Sequence, residues 1–154
     1  MTRLAFALAL VAALPVLGLG ALPAGAAEDP VAARQKIMDA TGAAAGLGGG
    51  MLKGEIPYSP AAGLAVLSTF SAAAATFGDY FPEGSSGGET AAAPKIWEDR
   101  AAFDAELAEF AEAALAGQQA AGRDGPADLE AFKAAVTPVL GLCRDCHEGF
   151  RLRR

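Results

Sequence analysis

The chain has 154 residues, 53% of them hydrophobic and 19% charged, with a formal net charge of −6. That length suits one domain, and an acidic balance argues against a nucleic-acid binder, which carries a basic face. Alanine dominates the apolar share while aromatics reach only 7%, a composition that predicts closely packed helices rather than sheets.

Residues 1–26 read as a cleaved secretory signal peptide. Arg3 is their only charge, a long apolar run starts at Leu4, and Ala24-Gly25-Ala26 supplies the small residues of a cleavage site before Ala27. The alternative is a membrane-spanning helix, since the run is long enough. Pro15, Gly18 and Gly20 interrupt it, and no basic stop-transfer flank follows. Cleavage after Ala26 leaves 128 of the 154 residues as one domain, 27–154, and removes Arg3, taking the formal charge from −6 to −7. No later stretch reads as a membrane span, so the exported protein is expected to carry no membrane anchor.

Four helices follow. Asp29-Pro30, Ser59-Pro60 and Gly125-Pro126 each place proline after a capping or turn residue, where its missing N–H costs no intrahelical bond. The first helix is expected from Pro30 to Lys53, although Gly46, Gly48, Gly49 and Gly50 either break it or allow a close neighbour. The second is expected from Pro60 to Phe77, with Leu64, Leu67, Phe70, Ala74 and Phe77 at helical spacing. Residues 80–94 are rich in Gly, Ser and Pro and form the long loop. The third helix runs from Asp99 to Gln119 with Phe103, Leu107, Phe110 and Ala114 as its stripe. The fourth starts at Pro126, presents Leu129, Phe132, Val136, Val139, Leu140, Cys143, His147 and Phe150, and contains Pro138, which removes one backbone bond. The fold class expected is all-α, an antiparallel up-down-up-down four-helix bundle.

Chemistry concentrates in Cys143-Arg144-Asp145-Cys146-His147. Two cysteines at this spacing can add across the vinyl groups of a haem while the adjacent histidine binds its iron. Residues 143, 146 and 147 share one helical face, so all three can address a single haem. A disulfide is the first alternative, but redox CxxC motifs open a helix beside a sheet, whereas this one closes a helix. A structural zinc site is the second, and it needs four protein ligands where the chain has two Cys and one His.

With this motif in place the sequence resembles the cytochrome c′ family of periplasmic four-helix haem proteins. The resemblance spans nearly all of 27–154. It is carried by Arg34-Gln35 and Met38, Lys53-Gly54-Glu55 with Pro57-Tyr58, and Phe81-Pro82-Glu83-Gly84-Ser85. Pro94, Ile96-Trp97, Phe103, the haem motif and Phe150-Arg151 complete it.

The resemblance implies one covalent haem c on Cys143 and Cys146, His147 as proximal ligand, and a homodimer built with the first helix. High-spin members leave the distal site open to nitric oxide or carbon monoxide. Low-spin relatives place a methionine sulfur there and carry electrons. Met38 falls at the distal position, where its other reading is an ordinary core side chain. Pro94-Lys95-Ile96-Trp97, Arg100 and Phe103 look closest to the low-spin relatives, whereas Arg34 is typical of the high-spin ones.

Arg34 is read either as a partner of a haem propionate or as a solvated residue near a helix start. Arg151 resembles the family arginine beside the proximal histidine, or is a terminal surface charge. Trp97 and the phenylalanines read as core packing. The function expected is periplasmic one-electron transfer to an unidentified redox partner protein, with gas binding as the alternative. Without a second histidine or a clear acid–base pair, enzymatic turnover is not expected. The basic tail, Arg144, Arg151, Arg153 and Arg154, either steers an acidic partner or complements the helix dipole.

Overall fold

The computed structural model describes residues 29–153; the signal-peptide expectation for 1–26 and the charge of Arg154 lie outside them. Four long helices dominate: α1 (Pro30–Leu52), α2 (Pro60–Thr76), α4 (Arg100–Ala121) and α5 (Leu129–Phe150), with a single-turn α3 (Lys95–Glu98) between α2 and α4. A 3-10 turn, Phe77–Tyr80, extends α2. Among the described residues there is no strand, only an isolated antiparallel bridge between Ala92 and Arg151.

Local chemistry sets the starts. Asp29 accepts from the Val31 N–H at 2.9 Å and Ser59 from the Ala62 N–H at 3.2 Å, and in both cases proline occupies the first turn as expected. The fourth helix departs from expectation. Pro126 does not open it; Asp128 caps it, accepting from the Ala131 N–H at 2.8 Å, and the helix begins at Leu129. Gly125 explains the difference. Its φ is +88°, and a Cβ there would lie 2.1 Å from the Pro60 carbonyl oxygen. The Gly125-Pro126 pair therefore runs in close contact with the start of α2, held by the Tyr58 hydroxyl, which donates to the Pro126 carbonyl.

Helix α1 is continuous through its glycines. Gly48 gives the reason: a Cβ there would stand 3.3 Å from Val66 and 3.4 Å from Phe132. The loss of helix propensity is offset by close approach to α2 and α5. Pro138 lies within an unbroken α5.

Helix α4 packs mainly on α5 and α2, and α1 on α2, while α1 meets α5 less extensively. One core fills the end of the bundle around Met51, Val66, Leu67, Phe70, Phe132, Val136 and Val139. A second, more aromatic cluster joins Phe81, Ile96, Phe103 and Phe150, with Phe77, Trp97 and Cys146 against it. One expectation is corrected here: Pro60–Tyr80 is long and apolar enough to cross a membrane by length and composition. The stretch instead buries Gly63, Val66, Leu67, Phe70 and Ala73 within the bundle, and its alanine-rich outer face gives it the hydropathy of a span.

Candidate functional site

Beside the aromatic cluster lies a cavity of about 560 Å³, within the size range of small-molecule and cofactor sites. The sequence-predicted site residues meet there. Cys143, Cys146 and His147 from α5 line it, Arg34 and Met38 come from α1, and Arg151 from the end of α5. The rest of the wall is largely aromatic and aliphatic: Phe77, Phe81, Ile96, Phe103, Leu107, Phe110, Leu142 and Phe150. Several of these stand out in the sequence only as core stripes; that they border a cavity depends on which helix ends converge.

Both cysteines are half-buried, and no disulfide joins them. Cys143 Sγ donates to the Val139 carbonyl at 3.6 Å. Burial raises the Cys143 thiol pKa, opposed by its backbone hydrogen bond. The Cys146 thiol is pushed up to about 11, by burial first and then by the charges of Glu106 and Cys143. The His147 imidazole is held below its ordinary value by burial and by the Arg151 charge. A neutral imidazole is the form that binds metal.

The burial of Arg34 corrects one of its two sequence readings, that of a solvated residue near a helix start. The residue is only 4% exposed, and burial depresses its pKa while Asp29 partly restores it. Its guanidinium holds the long loop, with Nη1 donating to the Tyr80 carbonyl at 3.0 Å and Ser85 Oγ at 3.1 Å. Nη2 donates to the Ser85 carbonyl at 3.0 Å and Thr90 Oγ1 at 3.4 Å. The cation lies 4.7 Å from the Phe81 ring centre and 5.6 Å from that of Trp97. Nε is buried without a protein partner among the described residues, so Arg34 keeps one donor at the cavity wall.

Further ties fix the same loop. Gln35 Nε2 donates to the Glu89 carbonyl at 2.8 Å, Trp97 Nε1 to the Pro82 carbonyl at 3.1 Å, and Arg100 Nη1 to the Phe81 carbonyl at 3.1 Å. At the far end the Ala93 N–H donates to the Phe150 carbonyl at 3.0 Å and the Leu152 N–H to the Ala91 carbonyl at 2.8 Å. These bonds bring exposed Arg151 to the cavity rim, near enough to His147 for its charge to act there.

Truncating Arg34 leaves the Tyr80 and Ser85 carbonyls without their charged donors. Arg34→Ala is expected to lower stability by about 3 kcal/mol in urea unfolding followed by circular dichroism, and to speed proteolysis between residues 83 and 90. A loss under about 0.5 kcal/mol, the level of an ordinary surface change, would show that the loop does not depend on this clamp.

The donor set fits a covalently attached haem. Two thiols and an imidazole emerge from one turn of α5 into an apolar cavity of about 560 Å³, and a thioether lies on its α1 wall. No group of three or more His, Cys, Asp or Glu side chains able to hold a bare metal ion occurs among the described residues.

Comparison with known proteins agrees. A family model described as Cytochrome C′ matches residues 29–151. The chain is 38% identical over 148 residues to a cytochrome c′ of Rhodopseudomonas palustris, covering 96% of this chain and 97% of that protein. It is 37% identical over 131 residues to a cytochrome c-556 of the same organism, covering 82% and 85%. The solved structure of Rhodopseudomonas palustris cytochrome c′ superposes with a TM-score of 0.73 at 36% identity, covering 83% of this chain and 99% of that one.

Proposed function

The chain belongs to the cytochrome c′ family, and from that premise we propose that it is a periplasmic one-electron carrier with His147 and Met38 as the axial ligands of its haem. Haem c is the family's cofactor, and Cys143 and Cys146 supply its thioether attachment. The group contributes a one-electron redox centre; the chain's residues hold it and supply its ligands.

The observation that carries the reading is that Met38 on α1 lines the same cavity as His147 on α5. A thioether opposite an imidazole raises a haem's potential and keeps both axial positions filled. Filled positions favour electron transfer over substrate chemistry. Phe77, Phe81, Phe103 and Phe150 give the cavity an apolar wall, and Arg151 helps to keep His147 neutral. A redox partner with an acidic face would meet Arg151 at the cavity rim, and a homodimer through α1 belongs to the same reading.

One observation favours the alternative, a five-coordinate haem binding nitric oxide or carbon monoxide. Thr41, Gly42 and Ala45 line the α1 wall next to Met38, and their small side chains leave space for a diatomic ligand if Met38 only covers the iron. The deciding measurement is the absorption spectrum of the holoprotein, oxidised and reduced, with and without carbon monoxide. Sharp low-spin bands, a methionine–iron charge-transfer feature and no response to the gas are expected. Broad high-spin bands that shift on adding it would replace the carrier by the gas binder.

A further inference from the structure

Four charged side chains other than His147 reach the cavity wall: Arg34, Asp39, Glu106 and Arg151. Arg34 is engaged with the loop. Asp39 and Arg151 are exposed, one on α1 and one in the bridged C-terminal segment, so water screens both. Glu106 differs from all three. It lies on α4 three residues after the buried Phe103 and is half-buried itself. Among the described residues its carboxylate has neither a hydrogen bond nor an ion pair.

Its acidic neighbours on α4 are disposed otherwise. Asp104 is paired with Arg100 at 2.7 Å, and Glu109 and Glu112 border a separate hollow beside Pro138. Of the α4 acids only Glu106 lines the cavity, where its charge is felt at Cys146. A half-buried carboxylate without a counter-ion is screened less than a fully exposed charge or one held in an ion pair.

We propose that Glu106 is a fixed charge that lowers the reduction potential of this haem, holding it below the value a neutral side chain at that position would give. Reduction adds one electron to the haem and so one negative charge beside the carboxylate. The oxidised form is favoured by the charge of Glu106, and the reduced form is disfavoured. This rests on the haem attached at Cys143 and Cys146, but not on whether Met38 binds the iron.

The test is a spectroelectrochemical titration of the holoprotein at constant pH, with Glu106→Gln, Glu106→Asp and Glu109→Gln beside the unaltered chain. At the midpoint potential of the unaltered protein, Glu106→Gln is expected to raise the ratio of reduced to oxidised haem about tenfold, 59 mV for a one-electron couple. Glu106→Asp retains the charge and is expected to stay close to the unaltered ratio. Glu109→Gln removes an equal charge from the same helix outside the cavity and is expected to do the same. A Glu106→Gln shift no larger than that of Glu109→Gln overturns the proposal, as does a Glu106→Asp shift equal to it, which would mean that side-chain shape rather than charge is responsible. The absorption spectra taken during the titration report the axial ligands separately, so failure of the Met38 reading and failure of this one are told apart. An unaltered chain without a haem band overturns both.

Discussion

Met38→Ala protein is expected to be high-spin in both oxidation states, to lose the methionine–iron charge-transfer band, and to bind carbon monoxide when reduced. Its potential should fall by on the order of 100 mV, a modest part of the ~0.8 V range that axial ligands command. The expectation follows from position and chemistry together. Met38 is half-buried on the cavity wall, and its soft sulfur stabilises the reduced iron over the oxidised. Truncation removes that sulfur and widens the space already bordered by Thr41, Gly42 and Ala45. Helix α1 is held elsewhere by its Asp29 cap, by the Arg34 ties and by the close approach at Gly48, so the substitution should leave the bundle standing. An unchanged spectrum would reduce Met38 to a packing residue.

The second large effect is on attachment. Replacing Cys143 and Cys146 together by alanine should abolish haem that survives denaturation, read by haem staining of a denaturing gel. Either single replacement should leave one thioether and a shifted pyridine haemochrome band. His147→Ala should remove the iron's only protein nitrogen ligand and lower the yield of holoprotein, read from the ratio of haem to protein absorbance. The three side chains leave a single turn of α5 toward one cavity, and the sequence holds no other cysteine or histidine to substitute for them. Undiminished haem in the double cysteine variant would refute covalent attachment.

Legibility in the sequence followed the range of the forces involved. Helix starts governed by neighbours were readable: Asp29-Pro30 and Ser59-Pro60 behave as their caps dictate. The same logic misplaced the start of α5, because Gly125-Pro126 answers to Pro60 and Tyr58, more than sixty residues away in the chain. The turn α3 escaped notice since four residues carry no period. The haem motif was readable because its three groups lie within five consecutive positions. The task of Arg34 was not: its partners are Tyr80, Ser85 and Thr90, and nothing local indicates that a cation near a helix start will be buried against two aromatic rings. Glu106 was hidden similarly. In sequence it is one of several acids on an amphipathic helix, and only the packing of α4 on α5 separates it from Asp104, Glu109 and Glu112.

The two walls that carry the axial candidates belong to opposite ends of the described chain, Met38 near its start and His147 near its finish. A group bonded to both would act as a cross-link enclosing about 100 residues. For a covalent cross-link around such a loop, chain-entropy reasoning gives a stabilisation of about 4.7 kcal/mol. Exchanging Met38 for a diatomic ligand would cut that link while leaving both thioethers intact. The ligand state of the iron would then be written into the unfolding equilibrium of the entire bundle.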